Sequence, residues 1–103
     1  MADFDDAHMK AAEAFKQAAA HQKDLYEAYH RSVLEEAPFD KKYAELMALT
    51  ASCAIQCEYC IATHSMKAKA RGATPKEIAF AIHLATIVKA GATMSYGVEA
   101  LKE

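Results

Sequence analysis

The residues Gly72-Ala73-Thr74-Pro75-Lys76-Glu77 decide where one helix of this chain ends and the next begins. Gly72 is the residue type that most readily adopts the left-handed conformation found just after a helix. Thr74 is a good N-cap, Pro75 suits the first helical position, and Glu77 completes a capping box with Thr74. The stretch therefore predicts a helix that ends near Gly72 and another that begins directly after Thr74.

Helical spacing of apolar residues continues on both sides of this boundary. Pro38 disfavours helix in the residue before it, and Asp40 can cap the helix that follows, so we expect an interruption there. Gly91 is expected to end the helix that begins after Thr74. The sequence thus predicts a single all-α domain over residues 1–103, built from about five helices. Their predicted limits are about 3–32, 41–55, 58–69, 75–91 and 93–101.

Two of these helices carry predictions about packing. In the second helix, an apolar stripe is expected to face the core and to leave Glu45 to one side. The fourth helix has apolar residues in every direction around its axis, so at least one face needs a cover from outside the small core. We expect that cover to be another subunit. The stripe of the second helix consists of Tyr43, Leu46, Met47, Thr50, Ala51 and Ala54.

The composition excludes several classes of function. The 103 residues carry a formal charge of -2 and a pI near 6.2, which gives no basic field to hold nucleic acid or an anionic membrane. No apolar run approaches the roughly 20 residues that a membrane span needs, and the acidic N-terminus lacks the pattern of a signal peptide. We therefore expect a cytoplasmic protein that binds neither nucleic acid nor membrane. Three cysteines are too few for a secreted disulfide framework, so we expect them to form a site.

The segment Cys57-Glu58-Tyr59-Cys60-Ile61-Ala62-Thr63-His64 carries that candidate site. Cysteines three residues apart bring their sulfurs close enough for a disulfide at the start of a helix, where the first thiolate is favoured. His64 lies one helical turn beyond Cys60 on the same face and is a candidate base. Glu45 is about three turns before the motif, and an antiparallel return of the chain would bring it to His64 as the group that orients the base.

Metal binding and plain packing are alternatives for the same residues. The three cysteines and His64 would form a Cys₃His zinc set, but along one straight helix they span about 16 Å, too far for one ion with bonds of about 2 Å. A zinc ion could hold Cys57, Cys60 and His64 at most, with Glu45 or water as the fourth ligand. Cys53 is expected to be a small buried core residue. A redox pair, a metal site and inert packing all stay open at this point.

The wider pattern resembles a known family. Glu45, eleven intervening residues, the Cys57-x-x-Cys60-x-x-x-His64 motif and the segment 70–78 are similar to the carboxymuconolactone decarboxylase superfamily, in its alkylhydroperoxidase D-like branch. The resemblance covers about 43–88, which would be the family core, and implies an all-helical protomer assembled into trimers or hexamers. One departure is Tyr59, because well-studied alkylhydroperoxidase D proteins carry a histidine there. One proton carrier of those proteins is therefore missing.

By this resemblance, the chain would be a thiol-dependent peroxidase or disulfide reductase, an oxidoreductase that acts on peroxide. Cys60 would attack the peroxide oxygen, and Cys57 would resolve the resulting sulfenic acid as a disulfide. Glu45 and His64 would relay the proton. The implied partners are a hydroperoxide substrate and a dithiol reductant such as a lipoyl-bearing protein, with no cofactor and no bound metal. Two alternatives are a lactone decarboxylase of the same superfamily, which does not depend on a redox CxxC, and a non-enzymatic metal-binding or redox-sensor module.

Overall fold

The computed structural model describes residues 5–103, and every regular element in that part of the chain is helical, which confirms the all-α prediction. The predicted start of the first helix at Asp3 lies outside the described residues. The chain divides into two compact units, one up to Pro38 and a second over Phe39–Glu103. The elements are α1 (Asp6–Ala18), α2 (Ala20–Glu35), α3 (Lys41–Ala54), α4 (Glu58–Ala70), α5 (Pro75–Gly97) and a closing 3-10 helix (Val98–Leu101).

The first unit consists of α1 and α2, and neither helix has a buried residue. The single long helix predicted over about 3–32 is wrong, because the backbone leaves helical geometry at Ala19, with φ -127° and ψ 51°. No glycine or proline lies near this position, and nothing in the local sequence explains the break. α1 begins with Asp5 as its cap, whose Oδ1 accepts from the His8 N–H at 2.8 Å. The unit is therefore a pair of short helices that lack a core of their own.

In the second unit, α3 packs against both α4 and α5. Leu49 of α3, 1% exposed, is the one large side chain fully buried among the described residues. Ala68 of α4, together with Ala81 and Ala85 of α5, completes the buried apolar layer, and such short side chains let helix axes approach closely. The Thr50 hydroxyl lies 3.1 Å from the carbonyl oxygen of Ala81 and adds a polar link between α3 and α5. The core is small and made mostly of alanine.

The predicted orientation of α3 is wrong. Tyr43 and Met47, which belong to the predicted core stripe, are exposed. α4 packs on the opposite face of α3, where Glu45 contacts His64, and this leaves Tyr43 and Met47 on the more exposed side of the helix. The residues that α3 buries are Ala44, Glu45, Leu49 and Ser52.

The stripe instead forms one wall of an apolar groove with a volume of about 430 Å³, and α5 forms the other wall. We refer to this surface as the α3/α5 groove. It is lined chiefly by Tyr43, Leu46, Met47, Thr50, Phe80 and Leu84.

The helix boundaries with side-chain caps are confirmed. Thr74 Oγ1 accepts from the Glu77 N–H at 3.1 Å, and Glu77 Oε1 accepts from the Thr74 N–H at 2.9 Å, which completes the predicted capping box. Asp40 Oδ1 accepts from the Lys42 N–H at 2.8 Å at the start of α3. Gly72 takes the left-handed conformation expected after α4, with φ +88°. Short polar side chains at these positions fix the chain entry into α3 and α5.

The C-terminal boundary is wrong. The sequence places a helix end at Gly91 and a separate helix over about 93–101, but α5 continues through Gly91 to Gly97. A glycine inside a helix costs about 1 kcal/mol relative to alanine, which is too little to end the helix when the residue keeps a helical conformation. Gly91 is not among the residues with positive φ. The chain therefore ends in one 23-residue helix followed by the 3-10 helix.

The length of α5 also corrects one expectation about membranes. Pro75–Leu101 is long and apolar enough to cross a membrane by length and composition, although no such run was expected. His83 and Lys89 interrupt the run of consecutive apolar residues, but the mean hydropathy over 18 residues of this helix is still high enough for a membrane span. One helix of this kind is weak support for a membrane span, so the absence of a membrane partner stays a prediction.

Glu77 links α5 to α3 through an ion pair. Its Oε2 lies 3.0 Å from Lys42 Nζ. The hydrogen bond from the Thr74 N–H, followed by the contact with Lys42, lowers the pKa of Glu77 below its ordinary value of 4.5. The same ion pair raises the pKa of Lys42. Both shifts mean that the folded chain favours the charged forms.

The Glu77 interactions predict an acid-sensitive contribution to stability. A carboxyl group with a lowered folded-state pKa stabilises the fold above its unfolded pKa, and this stabilisation is lost as the pH falls through the folded value. We expect the difference in free energy of unfolding between the wild type and Glu77→Gln to be constant at neutral pH and to shrink below 4.5. Denaturant unfolding across this pH range measures it. An unchanged difference down to the acid limit would contradict the assignment.

Candidate functional site

The turn between α3 and α4 positions the cysteine pair. The Gln56 N–H donates to the Cys53 carbonyl at 3.1 Å, and the Cys57 N–H donates to the Ser52 carbonyl, also at 3.1 Å. These two bonds form a Schellman motif, with Gln56 in its left-handed position at φ +56°. Cys57 is also the N-cap of α4, where its Sγ accepts from the Cys60 N–H at 3.3 Å. One residue thus closes α3 and opens α4.

Cys57 and Cys60 are joined by a disulfide, with their Cα atoms 5.3 Å apart. Both residues are half-buried. The pair lies at the N-terminus of α4, where the helix dipole favours a thiolate once the bond is reduced. Cys53 is a free thiol outside the pair and is half-buried, short of the fully buried core position that we expected.

A carboxylate and an imidazole meet across the interface of α3 and α4. The His64 Nδ1–H donates to Glu45 Oε2 at 2.8 Å. The two side chains are only 13% and 9% exposed, respectively. A carboxylate removed from water to this extent is costly unless it is paired and hydrogen-bonded, and His64 provides that partner. Because Glu45 holds the proton on Nδ1, the proton-accepting nitrogen of neutral His64 is Nε2.

The two pairs share one helix. His64 follows Cys60 by one turn of α4, which places both side chains on the same face. Glu45 reaches His64 from α3, through the antiparallel return of the chain that the spacing predicts. Tyr59, which stands between the cysteines, is 60% exposed. The structure therefore joins Cys57 to Cys60 and Glu45 to His64, while the catalytic roles of these residues stay predictions.

The geometry gives no support to the zinc alternative. Within residues 5–103, no group of three or more His, Cys, Asp or Glu side chains is arranged to hold a metal ion. The sulfurs of Cys57 and Cys60 are bonded to each other in this form of the protein.

Comparisons with other proteins agree with this architecture. A sequence model of the carboxymuconolactone decarboxylase family matches residues 6–103. A Paracoccus denitrificans protein named "Uncharacterized protein 4 in cox locus" is 32% identical over 78 residues, which span 76% of this chain and 70% of that protein. A crystal structure of a protein from Methanobacterium thermoautotrophicum is similar in fold, with a TM-score of 0.80 over 88% of this chain and 99% of that one, at 22% identity.

Gln56 is a site residue that sequence reasoning missed, because glutamine does not signal a left-handed position. Gly72 occupies the equivalent position after α4 and provides a matched reference. There, the Gly72 N–H donates to the Lys69 carbonyl and the Ala73 N–H donates to the Ala68 carbonyl, both at 2.9 Å. The two turns thus share one hydrogen-bond pattern. They differ in the left-handed residue, which is a strained glutamine in the first turn and an unstrained glycine in the second.

This comparison predicts opposite effects of substitution at the two turns. We expect Gln56→Gly to raise the free energy of unfolding by about 0.5–1 kcal/mol, because left-handed strain of about 1–2 kcal/mol exceeds the entropic cost of glycine. The matched change Gly72→Ala should lower it by about 1 kcal/mol. No atom lies within 4 Å of the added Cβ, so the loss reports backbone strain alone. Denaturant unfolding measures both, and a destabilised Gln56→Gly would contradict the strain assigned to Gln56.

Proposed function

The chain belongs to the carboxymuconolactone decarboxylase family, and from this premise we propose that it is a thiol-dependent peroxidase or disulfide reductase. The observation that carries the proposal is the Glu45–His64 hydrogen bond at the helix that begins with the Cys57–Cys60 disulfide. A reactive thiol needs a nearby base and a third group that orients the base. These four residues supply a dithiol, a base and its orienting carboxylate.

The proposed cycle begins with the reduced pair. The Cys60 thiolate attacks the terminal oxygen of the hydroperoxide, the O–O bond breaks, and the alkoxide leaves as an alcohol after it takes up a proton. Cys60 is thereby oxidised to a sulfenic acid. The Cys57 thiol then attacks the sulfenic sulfur, which forms the disulfide and releases water. Each peroxide thus oxidises the pair by two electrons, and the oxidised product is the form that the structure contains.

His64 and Glu45 would move the proton in this cycle. Nε2 of His64 would take the proton of the Cys60 thiol, directly or through one water, and return it to the departing alkoxide. Glu45 would keep Nδ1 protonated and stabilise the imidazolium that forms between the two transfers. Glu45 is therefore a positioning residue that acts through His64.

An external dithiol would complete the cycle. One of its thiolates attacks a sulfur of the half-buried pair, and its second thiol releases the mixed disulfide, so both electrons and protons return to Cys57 and Cys60. A vicinal dithiol of the lipoyl type fits this chemistry and is the reductant that we propose. The cytoplasm, where thiols are kept reduced, is the compartment that we propose.

The thiol mechanism predicts a strict dependence on Cys60. We expect the wild type to consume hydroperoxide in the presence of dihydrolipoamide, and Cys60→Ser to lose this activity, because its hydroxyl cannot be oxidised to a sulfenic acid. Cys53→Ser is the matched control and should keep the wild-type rate, because Cys53 lies outside the disulfide. Equal rates in the wild type and Cys60→Ser would reject the mechanism.

Two further outcomes would assign the chain to the alternatives. Activity on a muconolactone that survives the loss of both Cys57 and Cys60 would identify a decarboxylase. One zinc ion per chain in elemental analysis, lost in Cys57→Ser, would identify a metal-binding or sensor module. Each outcome replaces the peroxidase proposal.

The relay predicts coupled effects of Glu45 and His64. We expect Glu45→Gln to slow peroxide consumption by about 10–100-fold, by analogy with the carboxylates that orient metal-binding histidines. His64→Gln should have a larger effect, because general-base catalysis contributes about 10²–10⁴-fold. The double variant should be no slower than His64→Gln, because Glu45 acts through His64. Steady-state rates of folded variants measure this, and fully additive effects would contradict the relay.

A further inference from the structure

A negative charge lies beside the redox pair. Glu58 directly follows Cys57 and is the first residue of α4. Consecutive Cα atoms are about 3.8 Å apart, so the Glu58 carboxylate stays within roughly 10 Å of the Cys57 sulfur, which is about one Debye length at 0.1 M salt. Glu58 is half-buried, so water and salt screen its charge less than they screen a fully exposed one. A charged molecule that reacts with the disulfide therefore interacts with this carboxylate.

The bases that flank the motif in the sequence do not neutralise Glu58. It takes part in none of the ion pairs within residues 5–103. Along α3 and α4, the flanking bases are Lys42 and Lys67. Their Cα atoms lie roughly 15 Å or more from that of Cys57, at 1.5 Å per helical residue. Both are thus beyond a Debye length of the redox pair at 0.1 M salt.

Two further basic residues, His64 and Lys89, leave the charge of Glu58 unpaired as well. His64 donates to Glu45, so the charge of its imidazolium would be balanced by a carboxylate of its own. Lys89, on α5, is exposed and forms no ion pair with Glu58. Glu58 is therefore the unpaired charge next to the disulfide.

Reduction of the disulfide brings further negative charge to this place. A thiolate attacks one sulfur, the bond between the two sulfurs breaks, and a mixed disulfide forms while the other cysteine leaves as a thiolate. A second thiolate then attacks the mixed disulfide. Two external thiols are thus oxidised to one disulfide, and their protons pass to the two cysteines. Repulsion by Glu58 increases with each negative charge that the attacking molecule carries besides its sulfur.

We propose that Glu58 is a specificity-determining residue that favours uncharged or cationic thiols as reductants of the Cys57–Cys60 disulfide and disfavours anionic ones. This inference rests on the proposed dithiol–disulfide cycle, because it concerns the reductant of that cycle. The selection acts through the rate of encounter, on which charge has its largest effect. A lipoyl group in amide linkage has no charge and is accepted, whereas glutathione has a net negative charge and is disfavoured.

The first test compares three small thiols of similar size as reductants, at 10 mM ionic strength in a Cys53→Ser background. Cysteamine carries a cationic group, 2-mercaptoethanol a neutral one and 2-mercaptoethanesulfonate an anionic one. Second-order rates of disulfide reduction are divided by the thiolate concentration. We expect Glu58→Gln to lower the ratio of the cysteamine rate to the mercaptoethanesulfonate rate by about threefold, with mercaptoethanol between them. Intrinsic thiol reactivity cancels in this comparison of variants.

Glu103→Gln is the matched control, because it removes the same charge from the exposed end of the chain, and it should keep the wild-type ratio. An acidic residue in the first turn also stabilises a helix without any role in a reaction. Glu58→Gln that is less stable but keeps the wild-type ratio would therefore overturn the proposal.

The second test uses the Cys53→Ser background with Glu58 intact and remains decisive if Glu58→Gln fails to fold. Raising the salt concentration to 1 M shortens the Debye length to about 3 Å, so the ratio should fall by about threefold. A ratio that does not change with salt would overturn the proposal. These rates need no peroxide. A chain that consumes no peroxide but shows the expected ratios would reject the peroxidase cycle and support the role of Glu58.

Discussion

The double role of Cys57 is the constraint on which the candidate site depends. Its N–H completes the Schellman motif of α3, and its sulfur caps α4, so only Ile55, Gln56 and Cys57 lie between the two helices. This short link holds the two helices antiparallel and side by side. Glu45 lies about three turns before the link and His64 about two turns after it, so their side chains meet across the interface. The disulfide and the hydrogen-bonded pair are thus consequences of one turn.

The candidate site places a carboxylate, Glu45, in the small core that surrounds it. Glu45 occupies one of the four buried positions of α3, beside a core in which Leu49 is the one large side chain that is fully buried among residues 5–103. An apolar residue at position 45 would add buried surface, whereas a carboxylate must be desolvated and then paired. A polar residue at a position where an apolar one would stabilise the core more is expected where the residue serves a functional site. The buried Glu45 therefore points to a site more strongly than its spacing alone.

Features encoded by single side chains could be predicted from the sequence, and features decided by tertiary packing could not. Thr74 with Glu77, Asp40 and Gly72 each act through local hydrogen bonds or backbone conformation, and each lies where expected. The Glu45–His64 contact could be anticipated from spacing, because antiparallel neighbours follow from a short link. The orientation of α3 was missed because α4 and α5 pack on different faces of this helix. The apolar or polar nature of its side chains does not show which of the two faces is more buried. The break at Ala19 has no local signal, and Gly91 is overridden by the rest of α5.

Cys57 and Cys60 lie within one helical turn, and this short separation affects how their disulfide forms and breaks. The Cα atoms are already at bonding separation, and the cap at Cys57 can accept the same N–H as a thiolate or as a disulfide sulfur. Closure of the disulfide therefore needs no change in the separation of the two Cα atoms. If the pair cycles as proposed, we expect no hinge motion of α4 between the two forms.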